Sequence, residues 1–378
     1  MPGDCRGADQ QRSDGAHRRL SFLSRHRAAP SFLCMACRQG CCFDSEEIWS
    51  NKPTIERYGP IFQAMAPRQD RDAVAGSRRG ERRRMDKLII EVRANEYANR
   101  NRNRNVPWLP REIAGDAAEC REAGASIIHF HGRSAAGAPD NRFETCRDTI
   151  LAIRESSPIL VHPTLGYVTV TASFEERFAN VRRLAEQDAT RPDIVPMDMG
   201  SVNVDLYDSQ RAALRTPGAV YVNPTDMLIE LAQGIRQGGM KPSLVAWNVS
   251  FVRQIQAFSS MSLLDDPLFI SLVLTEKILI AGHPGTAQGL DAYLMFLPQD
   301  GSVQWSVTHI GGRFDTLLDK IILAGGHVQI GLGDYPYAED GCPTNAQLVE
   351  RVAARAKALG REVASPDDAR RMLRLPPR

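Results

Sequence analysis

The segment Met85-Asp-Lys-Leu-Ile-Ile-Glu-Val-Arg93 marks the point at which the sequence takes on the pattern of a folded domain. A short polar step leads into a run of Leu, Ile and Val, which is typical of a buried β-strand. Upstream, residues 1–84 show neither a helical nor a strand-like apolar period over any useful length. We therefore predict a domain over residues 85–378, preceded over residues 1–84 by a disordered extension. That extension is either a leader or the result of a start codon assigned upstream of Met85.

The extension also differs from the domain in charge. Residues 1–84 hold 16 Lys and Arg against 10 Asp and Glu, whereas the whole chain has a formal net charge of +2, so the domain is mildly acidic. Such a balance does not suggest a nucleic-acid-binding surface. The segment from Cys34 to Cys42 has thiol spacings that a zinc or iron–sulfur site could use, but a leader without a metal is the simpler interpretation.

Five of the eight cysteines lie in the first 42 residues, and the three in the domain, Cys120, Cys146 and Cys342, are far apart in the sequence, which suits a reducing compartment. No run of eighteen apolar residues is present, so no transmembrane helix is expected. The N-terminus also lacks a continuous apolar segment beside a small-residue cleavage site. We expect a cytoplasmic protein that binds neither a membrane nor nucleic acid.

Eight apolar runs in the domain have the length and composition of buried strands. They are residues 88–94, 126–131, 159–164, 193–198, 244–248, 268–275, 304–309 and 327–332. Helical patterns separate them, and two begin with capping boxes, Ser173 to Glu176 and Thr344 to Gln347. Pro110 and Pro366 fit first helical turns.

Eight strand–helix units in a domain of this length predict a (β/α)8 TIM barrel, whose strands are apolar on both faces. A doubly wound open sheet is the alternative. It is less favoured because no Gly-x-Gly-x-x-Gly turn follows the first strand.

Polar residues gather where the predicted strands end. In a barrel these ends meet at the rim that carries the active site. The rim residues are Glu91, Arg93, Asn95, Glu96, His129, His131, His162, Thr164, Asp198, Trp247, Asn248, His283, His309 and Asp334.

Two of them, His129 and His131, lie one residue apart on the second strand. Side chains alternate across a strand, so both imidazoles lie on one side, with backbones roughly 6–7 Å apart. From there both can bind one divalent ion, and zinc is the first choice because imidazole suits it. Two core histidines or an anion pocket are the alternatives. Spacing alone does not identify a third ligand.

Several segments resemble the β-keto acid cleavage enzymes, the family that includes 3-keto-5-aminohexanoate cleavage enzyme. They are residues 119–133, 197–203 (Met-Asp-Met-Gly-Ser-Val-Asn), 324–334 (Ala-Gly-Gly-His-Val-Gln-Ile-Gly-Leu-Gly-Asp), 344–349 and 360–366. The resemblance implies a barrel that binds zinc through His129 and His131. It also implies that a β-keto acid and acetyl-CoA react to give acetoacetate and a new acyl-CoA. A homo-oligomer is implied in the same way.

The sequence departs from the family where substrate would bind. Gly333 stands where members have the glutamate that completes the zinc shell, and Gln329 replaces an arginine. Asp334 matches the adjacent acid and could act as a base or as the missing ligand. Pro163 stands where a serine is expected, and the fifth strand lacks the family's acidic residues.

The chemistry and the resemblance together assign roles to the rim residues. Asp334, Arg93 and Glu91 are expected to be catalytic. Glu91 and Arg93, which both lie on the first strand, could instead form a structural ion pair. Residues expected to bind substrate are Asn95, Glu96, Thr164, Gly166, Asp198, Asn248 and His283.

Three functions follow from these assignments. The first is the zinc-dependent, acetyl-CoA-dependent cleavage enzyme that the resemblance implies. The second, suggested by Gly333 and Gln329, is a metal-dependent lyase or hydrolase on the same barrel that does not use CoA. The third is an inactive barrel that serves in binding or assembly.

Overall fold

Eight parallel strands, each followed by a helix, form a nearly closed (β/α)8 TIM barrel, as predicted. The computed structural model describes residues 86–96, 98–166, 173–276 and 279–376. The predicted extension over residues 1–84 lies outside these ranges. Within them, no helix is long and apolar enough to cross a bilayer.

The barrel strands are short, and most of their residues are buried. They are β1 (Ile90–Arg93), β2 (Ile127–Phe130), β3 (Leu160–Pro163), β4 (Ile194–Asp198), β5 (Lys241–Ala246), β6 (Leu268–Thr275), β7 (Val303–Ile310) and β8 (His327–Ile330).

Each barrel strand is followed by one helix, and a ninth helix ends the described chain. They are α1 (Pro110–Ala123), α2 (Phe143–Ser156), α3 (Phe174–Ala185), α4 (Thr225–Gln237), α5 (Val249–Ser260), α6 (Ala287–Leu294), α7 (Leu318–Leu323), α8 (Asn345–Ala358) and α9 (Pro366–Met372).

The strands pair in the order β3-β2-β1-β8-β7-β6-β5-β4. Between the two ends of this order, the Asp193 backbone N–H donates to the Val161 carbonyl over 3.0 Å. The Asp193 carboxylate also accepts from the Val161 N–H at 2.9 Å. These bonds bring β3 beside the start of β4 and nearly complete the barrel.

The inner face of the barrel changes from apolar to polar along the strands. At the N-terminal end, Ile89, Ile127 and Leu160 pack in one buried cluster with residues of α9. Two residues further along each strand, the same parity brings Glu91, His129 and His162 inward. The sequence therefore seals one end of the barrel with hydrocarbon and places ionisable groups toward the other.

The helix starts predicted from sequence are confirmed. The hydroxyl of Ser173 accepts from the Glu176 N–H, and that of Thr344 accepts from the Gln347 N–H. Each glutamate or glutamine side chain reaches back to the capping residue's own N–H. Pro110 occupies the first turn of α1.

The fifth strand starts three residues earlier than the sequence predicts and ends two residues earlier. Lys241 opens it because its side chain is buried and its ammonium group donates to the Asp265 carbonyl at 2.8 Å. Asn248 follows the strand and caps α5, where its side-chain oxygen accepts from the Ser250 N–H at 3.0 Å.

Candidate active site

A cavity of about 690 Å³ opens at the C-terminal ends of the barrel strands. Its wall combines ionisable groups with apolar side chains from the surrounding loops. Of the residues predicted to form the site, the cavity wall includes Arg93, Glu96, His129, His131, Thr164, Gly166, Asp198 and Asp334.

His129 and His131 converge on one carboxylate, that of Glu96. Glu96 Oε1 lies 3.0 Å from His129 Nε2, and Oε2 lies 2.6 Å from His131 Nε2. Glu96 is carried by the loop that follows β1, whereas His129 lies in β2 and His131 directly follows that strand. All three side chains are buried.

These three residues suit a divalent transition metal. Their ligand atoms lie within 4.8 Å of one another. Burial, and then the Arg93 guanidinium, lower the pKa of His129 to about 3, so the imidazole is neutral and able to coordinate a cation. Burial would raise the pKa of Glu96, but Arg93, His131 and His129 outweigh it and hold the pKa well below its usual range.

A buried polar atom without an aligned partner supports the same interpretation. Within the described residues, Glu96 Oε1 receives no hydrogen bond of good geometry, although His129 Nε2 and Arg93 Nη2 lie close to it. A carboxylate oxygen and an imidazole nitrogen arranged in this way can face a common ion.

Arg93 lies among three carboxylates. Its Nη2 is 2.5 Å from Glu96 Oε1, its Nε is 3.7 Å from Asp334 Oδ1, and its Nη1 is 3.9 Å from Glu91 Oε1. Gln329 on β8 carries no charge, so Arg93 on β1, which is half-buried, supplies a positive charge in the cavity wall.

The carboxylate of Asp334 is positioned by a hydrogen bond from a threonine hydroxyl. Its Oδ2 accepts from the Thr308 hydroxyl at 2.6 Å. Burial raises the pKa of Asp334 to about 6 against the opposing influence of Arg93. A carboxylate with such a pKa can accept a proton near neutral pH.

Deeper in the barrel, Glu91 pairs with His162. His162 Nδ1 lies 2.9 Å from Glu91 Oε1, and Gln329 Nε2 donates to Glu91 Oε2 at 3.3 Å. Burial would raise the pKa of Glu91, but His162 outweighs it and the pKa is lowered. With His129, these two residues form a second set of ligand atoms able to surround a cation.

Asp198 is fixed on the opposite side of the cavity. Its carboxylate accepts from the Trp247 indole N–H at 2.6 Å and from the Tyr221 hydroxyl at 2.9 Å. Burial raises the pKa of Asp198. Tyr221 was missed by the sequence analysis because it lies in a two-residue strand, Val220–Tyr221, within the β4–α4 connection.

Three of the predicted substrate-binding residues lie outside the cavity wall. Asn95 donates to the Pro107 and His131 carbonyls and accepts from the His131 N–H, so it fixes the backbone of the second histidine. Asn248 caps α5. The His283 ring packs edge-on against Tyr293, with centroids 4.6 Å apart.

Comparison with known proteins identifies a family whose sequence model matches most of this chain. Residues 87–375 match the sequence model of the β-keto acid cleavage enzymes. The 3-keto-5-aminohexanoate cleavage enzyme of Fusobacterium nucleatum is 28% identical over 295 residues, which cover 77% of this chain and 99% of that protein. The 3-dehydrocarnitine:acetyl-CoA trimethylamine transferase of Rhizobium meliloti is 27% identical over 293 residues, 73% of this chain and 92% of that protein.

A solved structure shares the fold. The ternary complex of ObcA with a C4-CoA adduct and oxalate superposes with a TM-score of 0.56 at 13% identity, covering 71% of this chain and 67% of the other.

Proposed function

Because this chain belongs to the β-keto acid cleavage enzyme family, we propose that it converts a β-keto acid and acetyl-CoA into acetoacetate and a new acyl-CoA, with zinc held by His129 and His131. It is a carbon–carbon bond-cleaving enzyme of the acyltransferase type. We propose in addition that zinc is the metal, that acetyl-CoA is the co-substrate and that a β-keto acid is the substrate.

The convergence of two buried imidazoles and a carboxylate on one point carries the proposal. Nitrogen and oxygen donors of this kind are those that zinc prefers, and three protein ligands leave a coordination position for substrate. The cavity around them, about 690 Å³, is large enough for a small keto acid and the thioester end of CoA.

A bound zinc ion would supply Lewis acidity that polarises the keto carbonyl and lowers the free energy of the charge that develops on its oxygen. The chain's own residues do the rest. His129 and His131 would fix the place of the cation, and the half-buried Arg93 would supply a second positive charge beside it. Both favour the anionic end of a β-keto acid in a site that excludes much of the water.

The exchange needs a base for the carbon between the ketone and the carboxylate. Loss of a proton from this carbon leaves a carbanion that attacks the acetyl carbonyl of acetyl-CoA and releases the CoA thiolate. The thiolate then attacks the original ketone, and the bond between the ketone carbon and the acidic carbon breaks. The acidic carbon leaves as a carbanion and takes a proton back, which gives acetoacetate. We assign proton transfer to Asp334, whose buried carboxylate lines the cavity and has a pKa of about 6.

We also propose a cytoplasmic location and a homo-oligomeric assembly. Cys120, Cys146 and Cys342 are unpaired, which supports a reducing cytoplasm. A homo-oligomer is proposed from the family resemblance.

An isotope-labelling experiment tests the proposal by following the carbon atoms of the acetyl group. The zinc-loaded full-length chain is incubated with doubly ¹³C-labelled acetyl-CoA and a panel of β-keto acids whose tails are cationic, anionic or neutral. We expect label in the ketone half of acetoacetate, together with an unlabelled acyl-CoA, for at least one acid. Cleavage of a keto acid without acyl-CoA or labelled acetoacetate would support the CoA-independent lyase or hydrolase instead. No turnover of any acid would contradict the proposal.

A further inference from the structure

We propose that Glu96 is the third protein ligand of the metal, and that its side chain occupies space kept free by Gly333. The inference rests on the proposed function only in requiring a divalent ion at His129 and His131. It concerns which carboxylate completes the site, for which Asp334 and Glu91 are the competitors.

Gly333 and Glu96 compete for the same volume. A Cβ atom placed on Gly333 would lie 2.5 Å from Glu96 Cγ, closer than two carbon atoms can approach. A side chain at position 333 and Glu96 in its present conformation therefore exclude each other. Because a Cβ at position 333 would point at the Glu96 side chain, a glutamate there would direct its carboxylate toward the same two histidines.

The backbone of Glu96 supports a functional reason for this arrangement. Its φ is +29°, in the left-handed region that residues other than glycine seldom adopt. Such a conformation is strained for a residue that carries a Cβ. It turns the side chain back from the β1–α1 loop toward the ends of β2, where the carboxylate meets the two histidines.

The competing carboxylates are less suitable. Among the described residues, Asp334 belongs to neither group of metal-ligand atoms, and its Oδ2 is already bound to the Thr308 hydroxyl. Glu91 can form a set with His129 and His162, but its oxygens already contact His162 and Gln329. Glu96, in contrast, contacts both histidines, at 3.0 Å from His129 Nε2 and 2.6 Å from His131 Nε2, although Arg93 Nη2 also lies close to its Oε1.

The experiment measures metal binding directly. Zinc content is determined by mass spectrometry, the zinc Kd by competition with a chelator, and the coordination shell by the visible spectrum of cobalt-loaded protein. We expect Glu96→Gln to raise the zinc Kd by about 100-fold or more, beyond the 10–100-fold typical of groups that only support a ligand. Glu91→Gln removes the charge of the competing carboxylate and is expected to raise the Kd by less than Glu96→Gln does, within the range typical of groups that only support a ligand.

A charge-conserving exchange tests the shared volume. Glu96→Gly alone should lose the metal, and adding Gly333→Glu should restore zinc content and the cobalt spectrum. The φ of Gly333 lies outside the left-handed region, and once the Glu96 side chain is removed a Cβ at position 333 still meets the Arg93 carbonyl oxygen and the backbone nitrogen of residue 96 at 3.0 Å each, so the backbone must shift by a few tenths of an ångström to accept it. Glu96→Gly also removes the strained residue.

Two results would overturn the inference. The first is a Glu96→Gln protein that binds zinc as tightly as the unmodified chain. The second is an exchange variant that is folded by circular dichroism and yet binds no more zinc than Glu96→Gly alone. Metal binding that follows the predictions without any acyl transfer would contradict the proposed function and leave this inference standing. An unmodified chain that takes up no divalent ion would overturn both.

Discussion

His162 Nδ1 lies 2.9 Å from Glu91 Oε1, and both side chains are buried inside the barrel. Within the described residues, His162 Nε2 has no hydrogen-bond partner, and the residue lines the cavity. Glu91 therefore holds the imidazole in one orientation at the inner end of the cavity. This buried pair joins the first and third strands through a single contact.

We expect Glu91→Gln to lower the free energy of unfolding by about 1–3 kcal/mol, because a buried partner of His162 loses its charge. Urea denaturation of the full-length chain measures this. The matched control is Glu175→Gln, which removes an exposed pair with Arg182 and is expected to leave the urea midpoint nearly unchanged. Equal stability of the Glu91→Gln protein and the unmodified chain would show that the pair is not structurally important.

Removal of one histidine tests the metal site itself. His131→Ala should lose both zinc and acyl transfer, because a glutamate and one imidazole are a poor site for zinc. Its far-ultraviolet circular dichroism should remain that of the unmodified chain. His283→Ala is the control for metal content, since His283 lies outside the cavity wall and packs on Tyr293. A His131→Ala protein with full zinc content would contradict the assignment.

The barrel could be predicted because its signal is local. Strands covered on both faces read as apolar runs, and the observed β6 has the predicted bounds, Leu268–Thr275. The start of β5 was wrong because Lys241 is charged and Pro242 interrupts the apolar run, although the Lys241 stem is buried. Burial of a polar stem depends on the tertiary environment, which local sequence does not carry.

The site could be predicted only in part, for a similar reason. Strand parity placed His129 and His131 together. The contact of Glu96 with both histidines depends on a left-handed backbone at Glu96 and on free space at Gly333. These residues lie in the loops after β1 and β8, far apart in the sequence. The pairing of Glu91 with His162 crosses 71 residues and is likewise set by how the strands pack.

Asp116 makes stability depend on pH. Burial raises the pKa of this α1 residue to about 7, while Asn345 Nδ2 donates to its Oδ2 at 2.8 Å. The folded-state pKa exceeds the unfolded value of about 3.9, so the contribution to stability is complete below about pH 4 and is lost as the pH rises toward 7.

We therefore expect Asp116→Asn, which is neutral at every pH, to be more stable than the unmodified chain at pH 8. The expected gain is about 1–2 kcal/mol, less than the whole shift would give, because the side chain keeps some contact with water. At pH 4 the two proteins should be equally stable. Denaturation at both pH values measures the difference, and a gain that is the same at pH 4 and pH 8 would contradict the assignment.

Asp334 makes activity depend on pH in the opposite sense. As the proposed base it must be deprotonated, and burial raises its pKa to about 6. A bound cation nearby would lower this value. We expect kcat/KM to rise with pH through a single ionisation at or below about pH 6, and to fall about tenfold per pH unit beneath it. Initial rates from pH 4.5 to 8 at saturating zinc measure this profile.

Two variants identify the group responsible. Asp334→Asn should lower kcat by about 100-fold or more, because proton transfer by a positioned base contributes at least that factor. The activity that remains should not show the acidic limb, that is, the fall of kcat/KM below about pH 6. Arg93→Gln should shift the limb upward by about one pH unit, because the guanidinium, whose Nε is 3.7 Å from Asp334 Oδ1, lowers the pKa of that carboxyl. A limb that stays in place in both variants would belong to another group, and Asp334 would not be the base.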